Sequence, residues 1–136
     1  MLIEKYREGL VRDRDYNCAE KVLNLSSEVL ELNLPEKALK VAAGFGGGMG
    51  IGHLCGAVTG SIMVLSLKYV DTVEHQSDIK RIEKNFLQKV QEKLGSLMCK
   101  DLIKAYYNPE SKCEYIIENV IEILDQYIKD LDAKEK

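Results

Sequence analysis

The chain has no tryptophan, two prolines and two histidines among its 136 residues. With aromatic residues at only 7%, a core must be assembled from Leu, Ile, Val and Ala, which favours packed helices. Strand-like alternation and internal repeats are both missing. No CxxC or CxxCH occurs, although cysteines stand at 18, 55, 99 and 113. The spacings of zinc ribbons, thioredoxin-type dithiols and c-type haem attachment are therefore excluded. Charge of one sign is not in excess either: 19 basic and 22 acidic residues leave a net −3, which gives no electrostatic footprint for nucleic acid. The first residues, MLIEKYREGLVRDRD, carry charge within four positions and no apolar run ahead of a small-residue cleavage site. No signal peptide is expected there, and the cytoplasm is the expected compartment. That compartment keeps thiols reduced, so four cysteines point to chemistry more than to cross-links.

Length suits one domain, 1–136, able to bury a core without metals or disulfides as staples. In a chain that is 30% charged, no Asp, Glu, Lys or Arg occurs between Lys40 and Lys68, and the same stretch holds eight of the ten glycines. Its glycine-rich first half argues against one continuous membrane-spanning helix, so no membrane insertion is expected. From about Leu54 to Tyr69 the stretch reads as a helix that is apolar almost all round, the centre of a bundle.

Around it the apolar spacings predict amphipathic helices. Residues 2–13 put Leu2, Ile3, Tyr6 and Leu10 on one face. Asn17 and Glu20 form a capping box for a helix striped by Cys18, Val22, Leu25, Val29 and Leu32. Pro35 suits the first turn of a helix over Pro35–Ala43, with Gly44 as its terminator. After a polar loop at Asp71–Ser77, the stripe Ile79, Ile82, Phe86, Val90, Leu94 marks a long helix stopped at Gly95-Ser96. A short helix carries Cys99, Leu102, Ile103 and Tyr106 inward until Asn108-Pro109 breaks it. Ser111 to Glu114 reads as a second capping box, ahead of a last helix striped by Cys113, Ile116, Ile117, Val120, Leu124, Tyr127, Ile128 and Leu131, with a solvated tail at Asp132–Lys136. The expected fold is all-α: a compact bundle of about five long helices and one or two short ones around the central glycine-rich, uncharged helix.

All four cysteines fall in or next to a predicted first helical turn, taking Ser96 as a cap ahead of Cys99. Unpaired amides and the helix dipole at such a position stabilise a thiolate and lower its pKa from about 8.5. Each cysteine also lies on an apolar face, where it serves equally as a small buried hydrophobe. His53, two residues before Cys55, is of a type that acts as base or ligand, whereas His75 lies in a polar loop. The run Gly46-Gly47-Gly48 with Gly50 and Gly52 has no preceding strand, no GK[ST] ending and no lysine, so it does not read as a phosphate loop. Gly56 and Gly60, one turn apart, permit a close helix approach that would bring other cysteine-bearing segments near Cys55.

Asn17-Cys18-Ala19-Glu20, Gly44-Phe45-Gly46-Gly47-Gly48-Met49-Gly50, Cys55-Gly56-Ala57-Val58-Thr59-Gly60 and the single Cys99 and Cys113 together resemble the redox-active family named for its pattern, C_GCAxxG_C_C. The resemblance follows nearly the whole chain in order. It implies a small prokaryotic helical protein with Cys18, Cys55, Cys99 and Cys113 as the signature cysteines. The chain is also similar to the cluster-bearing part of split-Soret cytochromes, which implies an iron–sulfur centre here, although haem motifs are lacking.

The expectation is a thiol-based redox or electron-transfer protein. Cys18, Cys55, Cys99 and Cys113 would converge to ligate an iron–sulfur cluster or cycle between dithiol and disulfide, with Gly56, Gly60 and His53 around the bound group. A redox partner or small-molecule electron carrier and a homodimer are compatible with this reading, and whether the protein is an enzyme is left open. The rivals are a four-thiolate zinc site and a helical interaction module with inert core cysteines.

Overall fold

The computed structural model describes residues 1–134, and these residues form an all-α fold. Seven α-helices follow in order: α1 Leu2–Arg7, α2 Cys18–Val29, α3 Glu36–Leu39, α4 Gly56–Tyr69, α5 Ile79–Leu94, α6 Cys99–Tyr106 and α7 Glu114–Lys134. The central helix is the expected one: α4 packs against α2, α5 and α7 and buries Ala57, Val58, Ser61, Val64 and Leu65, while Thr59, Ile62, Met63 and Ser66 are only partly covered and Leu67 is exposed.

The long amphipathic helices obey their stripes. In α5 the buried residues are Ile79, Ile82, Phe86, Val90 and Leu94, and the helix ends in a left-handed Gly95. In α7, Ile116, Ile117, Val120, Leu124, Tyr127, Ile128 and Leu131 are buried as expected, joined by Ile121 and Asp125. Tyr127 reaches across to donate its hydroxyl to the Ile82 carbonyl at 2.9 Å.

Several boundaries differ from expectation. Helix α1 stops at Arg7 instead of running to residue 13, and a turn follows in which the fully buried Val11 takes a positive φ of 57°. The segment expected as one helix over Pro35–Ala43 is a four-residue α-helix continued by a 3-10 stretch, Lys40–Phe45. Ile103 is 38% exposed and does not face inward. The expected tail is helical through Lys134, and Asp132 accepts hydrogen bonds from the Tyr69 hydroxyl at 2.8 Å and from Lys68. Residues 135–136 of that tail lie outside the described residues. Among the described residues no helix is long and apolar enough to cross a membrane.

Helix α1 is held to α7 through Asp125, only 5% exposed, whose carboxylate accepts from the Met1 amino group at 2.8 Å and the Ile3 amide at 3.3 Å. Burial alone would raise the Asp125 pKa, but these hydrogen bonds outweigh it and hold the carboxyl below its ordinary value. A depressed folded pKa stabilises above the unfolded carboxylate range and loses that contribution as pH falls through the folded value. Asp125→Asn is therefore expected to cost about 1–3 kcal/mol at pH 7, the worth of hydrogen bonds to a charged group. Urea unfolding of both forms at pH 7 and pH 3 checks this, the gap between them narrowing at the lower pH.

Candidate functional site

At the start of α2 the expected capping box is present. The Asn17 side chain accepts from the Glu20 amide, and the Glu20 carboxylate accepts from the Asn17 amide, each at 2.9 Å. This places Cys18 as the first residue of α2, half-buried, with Asn17 Nδ2 also donating to the Ala43 carbonyl. The α2 start lies on α4 at the two glycines. A Cβ on Gly56 would collide with Cys18 Sγ and press on Phe45 O and Ala19 N, while one on Gly60 would lie 2.9 Å from Ala19 O. The missing side chains thus make the notch into which Cys18 and Ala19 fit, and Cys18 Sγ rests on the residue next to Cys55.

Cys55 is the N-cap of α4. It is joined to Cys99 by backbone pairing: Leu54 and Met98 form an isolated antiparallel bridge, Cys55 N donates to Leu97 O at 2.9 Å, and Cys99 N donates to His53 O. The glycine run wraps this pairing from outside. At Gly48, φ is +62°, and a Cβ would fall on the His53 backbone and on Cys99 Cβ, so both conformation and space require glycine. Cys99 itself is the first residue of α6, behind N-cap Met98. Ser96, expected as the cap, instead accepts from the Met98 amide and donates to Asp101.

Cys113 immediately precedes α7, and its carbonyl accepts from the Ile117 amide at 3.0 Å. The expected Ser111 capping box is not formed: Ser111 offers its carbonyl to the Glu114 amide. A side-chain network ties this start to the others. Lys21 Nζ meets Glu114 Oε1 at 2.7 Å, and the fully buried Tyr6 donates its hydroxyl to Glu114 Oε2 at 2.6 Å. Residues of α1, α2 and α7 therefore meet at Glu114, one position from Cys113.

All four cysteines thus stand at helix starts, and all four are free thiols. Their electrostatics run against the lowering expected from that position. Burial drives the Cys55 thiol up to about 12, with the nearby Cys18 adding, against the amides of Val58 and Ala57 that favour its thiolate. Burial and then Cys18 also raise Cys99, and burial, Cys18, Cys99 and Glu114 raise Cys113 against the ammonium of Lys21. Desolvation outweighs the helix start because a thiolate loses its water while gaining only one or two amides. Cys18 is the common neighbour, close enough for its charge to act on all three others.

The His53 side chain is exposed, and its backbone pairs with Cys99 and Gly48. Gly56 and Gly60 act by yielding space to α2. Sequence reading did not find Lys21, Glu114 and Tyr6, although Lys21 is one turn after Cys18 and Glu114 adjoins Cys113, spacings that already place charge beside thiols. Among the described residues, no three Cys, His, Asp or Glu side chains are drawn together as a preformed cage for a single metal ion.

No solved structure matches this chain. A protein of Archaeoglobus fulgidus, described as "Uncharacterized protein", is 31% identical over 137 aligned positions, which cover 84% of this chain and 85% of the relative. The pattern described as "Putative redox-active protein (C_GCAxxG_C_C)" matches residues 16–127, a span that contains all four cysteines, the α2–α4 notch and the glycine run, and the chain belongs to this C_GCAxxG_C_C family.

Proposed function

We propose that Cys18, Cys55, Cys99 and Cys113 form one redox site that holds an iron–sulfur cluster, each supplying one thiolate. The observation that carries this reading is the way the four helix starts are tied together: Cys18 Sγ lies against Gly56 beside Cys55, Cys55 and Cys99 stand on paired backbone, and Lys21 of α2 bonds Glu114 beside Cys113. Buried thiols that repel one another as thiolates are poor attacking groups at neutral pH. A cationic centre stabilises them together and displaces their protons. The donor set fits such a centre: four thiols are the usual complement of a cluster. The long sequence spacings between the four cysteines are unusual for a four-thiolate zinc site. A cluster spreads its ligands over several irons.

When bound, the cluster supplies reversible one-electron transfer. The chain's own residues do the rest. The Ala57 and Val58 amides favour negative charge on the Cys55 sulfur, the Lys21 ammonium does the same at Cys113, and burial of Cys55 and Cys99 limits water. Such a protein passes electrons to a redox partner or small carrier, and its free thiols suit the reducing cytoplasm. Dithiol–disulfide cycling is the second reading, favoured by the seat of Cys18 Sγ on Gly56 beside Cys55.

Protein purified without oxygen is expected to be brown, with iron and acid-labile sulfide in equal amounts and broad visible absorption that Cys55→Ser removes. Colourless protein containing zinc, or metal-free protein with a titratable disulfide, overturns the cluster in favour of the corresponding rival. Metal-free protein with inert thiols overturns all redox readings.

A further inference from the structure

Beside the α2 notch, along the face of α4 that carries Thr59, Ile62 and Ser66, lies a second feature, an open cleft of about 610 Å³. Five helical segments wall it: Leu23 comes from α2, Ala38 from α3, Phe45 from the 3-10 stretch, Ile62 and Met63 from α4, and Leu87 from α5. The volume falls within the range of about 300–1,000 Å³ typical of small-molecule sites, and a concavity walled by five segments, unlike a groove along one or two helices, suits a compact ligand better than an extended helix or strand.

The lining constrains the chemistry of an occupant. No Lys or Arg lines the cleft, so nothing there recognises an anion. Its charged residue is Glu83, whose carboxylate is already engaged by Lys80 Nζ at 2.8 Å, so a cation is not called for either. The polar groups left are the hydroxyls of Thr59 and Ser66. Thr59 donates to Gly56 O at 3.1 Å and Ser66 to Ile62 O at 2.9 Å, so their protons are committed to the helix and their oxygens remain as acceptors. An occupant matched to this lining is neutral, mostly apolar and carries a hydrogen-bond donor.

We propose that this cleft binds a neutral, mostly apolar ring molecule bearing a hydroxyl donor, of the phenol or hydroquinone class, with the hydroxyl on Thr59 or Ser66. Thr59 lies four residues after Cys55 on the same helical stripe, so a ring held by Thr59 is seated beside the first turn of α4, and one held by Ser66 about two turns further on. The assignment goes beyond the redox reading and stands without a cluster.

The test is titration of the purified full-length chain with 2-naphthol, followed by the probe's fluorescence, beside 2-methoxynaphthalene and 2-naphthoate. Saturable 2-naphthol binding is expected, with the donor-free ether and the anion each about tenfold weaker, the worth of one neutral hydrogen bond. Thr59→Val is expected to cut the preference for naphthol over the ether severalfold, and Ala38→Phe, which fills the cleft, to abolish binding. Since Ala38→Phe could unfold the chain, methyl NMR of the unaltered protein gives the location independently: Met63 must shift on binding while Met1 and Met49 stay. Absence of saturable binding, equal binding of naphthoate, or a shift confined to other methionines overturns the proposal. Each of these results leaves the cluster reading untouched, because none of them reads iron.

Discussion

Gly56→Ala is expected to destabilise the protein by about 3 kcal/mol, the upper part of the range for overpacking a closed interior. Helix propensity alone predicts the opposite sign, since alanine is favoured over glycine by about 1 kcal/mol within a helix. Packing decides, because the added methyl has nowhere to go. It meets Cys18 Sγ well inside contact distance and has Phe45 O at 3.0 Å and Ala19 N at 3.2 Å behind it. Cys18 must rotate away or α2 must lift from α4, and either movement takes the common neighbour out of the thiol group. Gly60→Ala separates the two effects: it meets Ala19 O at 2.9 Å and Val22 Cβ at 3.2 Å but no sulfur. It is expected to lower stability by a similar amount while disturbing Cys18 less. Gly44 is the control, with no atom within 4 Å of an added Cβ. Gly44→Ala is expected to be neutral or to stabilise by up to about 1 kcal/mol through the unfolded chain. Urea unfolding midpoints of the three variants rank them, and a Gly56→Ala protein as stable as the parent would refute the notch.

What the sequence made legible follows from which signals are local. Long stripes such as Ile79, Ile82, Phe86, Val90 and Leu94 each repeat one face many times, so an error at one position hardly matters, and α5 and α7 bury what was expected. The Asn17–Glu20 box and the small pair Gly56 and Gly60 carry a mechanism within four residues, and both act as anticipated. The cysteines' places at helix starts were readable for the same reason. The region 36–53 was not. Its glycines permit many backbones, and the choice of a 3-10 stretch followed by left-handed residues, Met49 among them at φ +63°, is imposed by the pairing of 53–55 with 97–99. Two three-residue segments outside any strand leave no periodic trace. The direction of the thiol pKa values was also hidden, because a helix start is visible in a sequence whereas the depth of burial around it is not.

The alkaline side of the stability curve is where that direction is expected to show most strongly. In metal-free reduced protein, the unfolded cysteines lose their protons near pH 8.5, while Cys55 keeps its proton up to about 12 and Cys99 and Cys113 are raised in the same sense. A folded pKa above the unfolded one stabilises fully below the unfolded value and is lost as pH rises towards the folded value. Above pH 8.5 the unfolded chain binds fewer protons, so stability falls with pH by up to about 1.4 kcal/mol per unit for each such thiol. Tyr6 and Tyr127 are raised as well, but unfolded tyrosine titrates only near pH 10. Urea unfolding under reductant between pH 7.5 and 9.5 therefore reads the thiols before the tyrosines. Cys55→Ser is expected to flatten the slope by its own share. Cys18→Ser, which removes the sulfur that acts on all three others, is expected to flatten it through those three. A stability independent of pH across this window would mean that the thiols are neither desolvated nor neighbours, and the single site would lose its electrostatic basis. A slope that falls in Cys18→Ser, while the burial of the other three thiols keeps the rest of it, would identify α2, docked through Gly56 and Gly60, as the element that turns four separate helix starts into one group of interacting thiols.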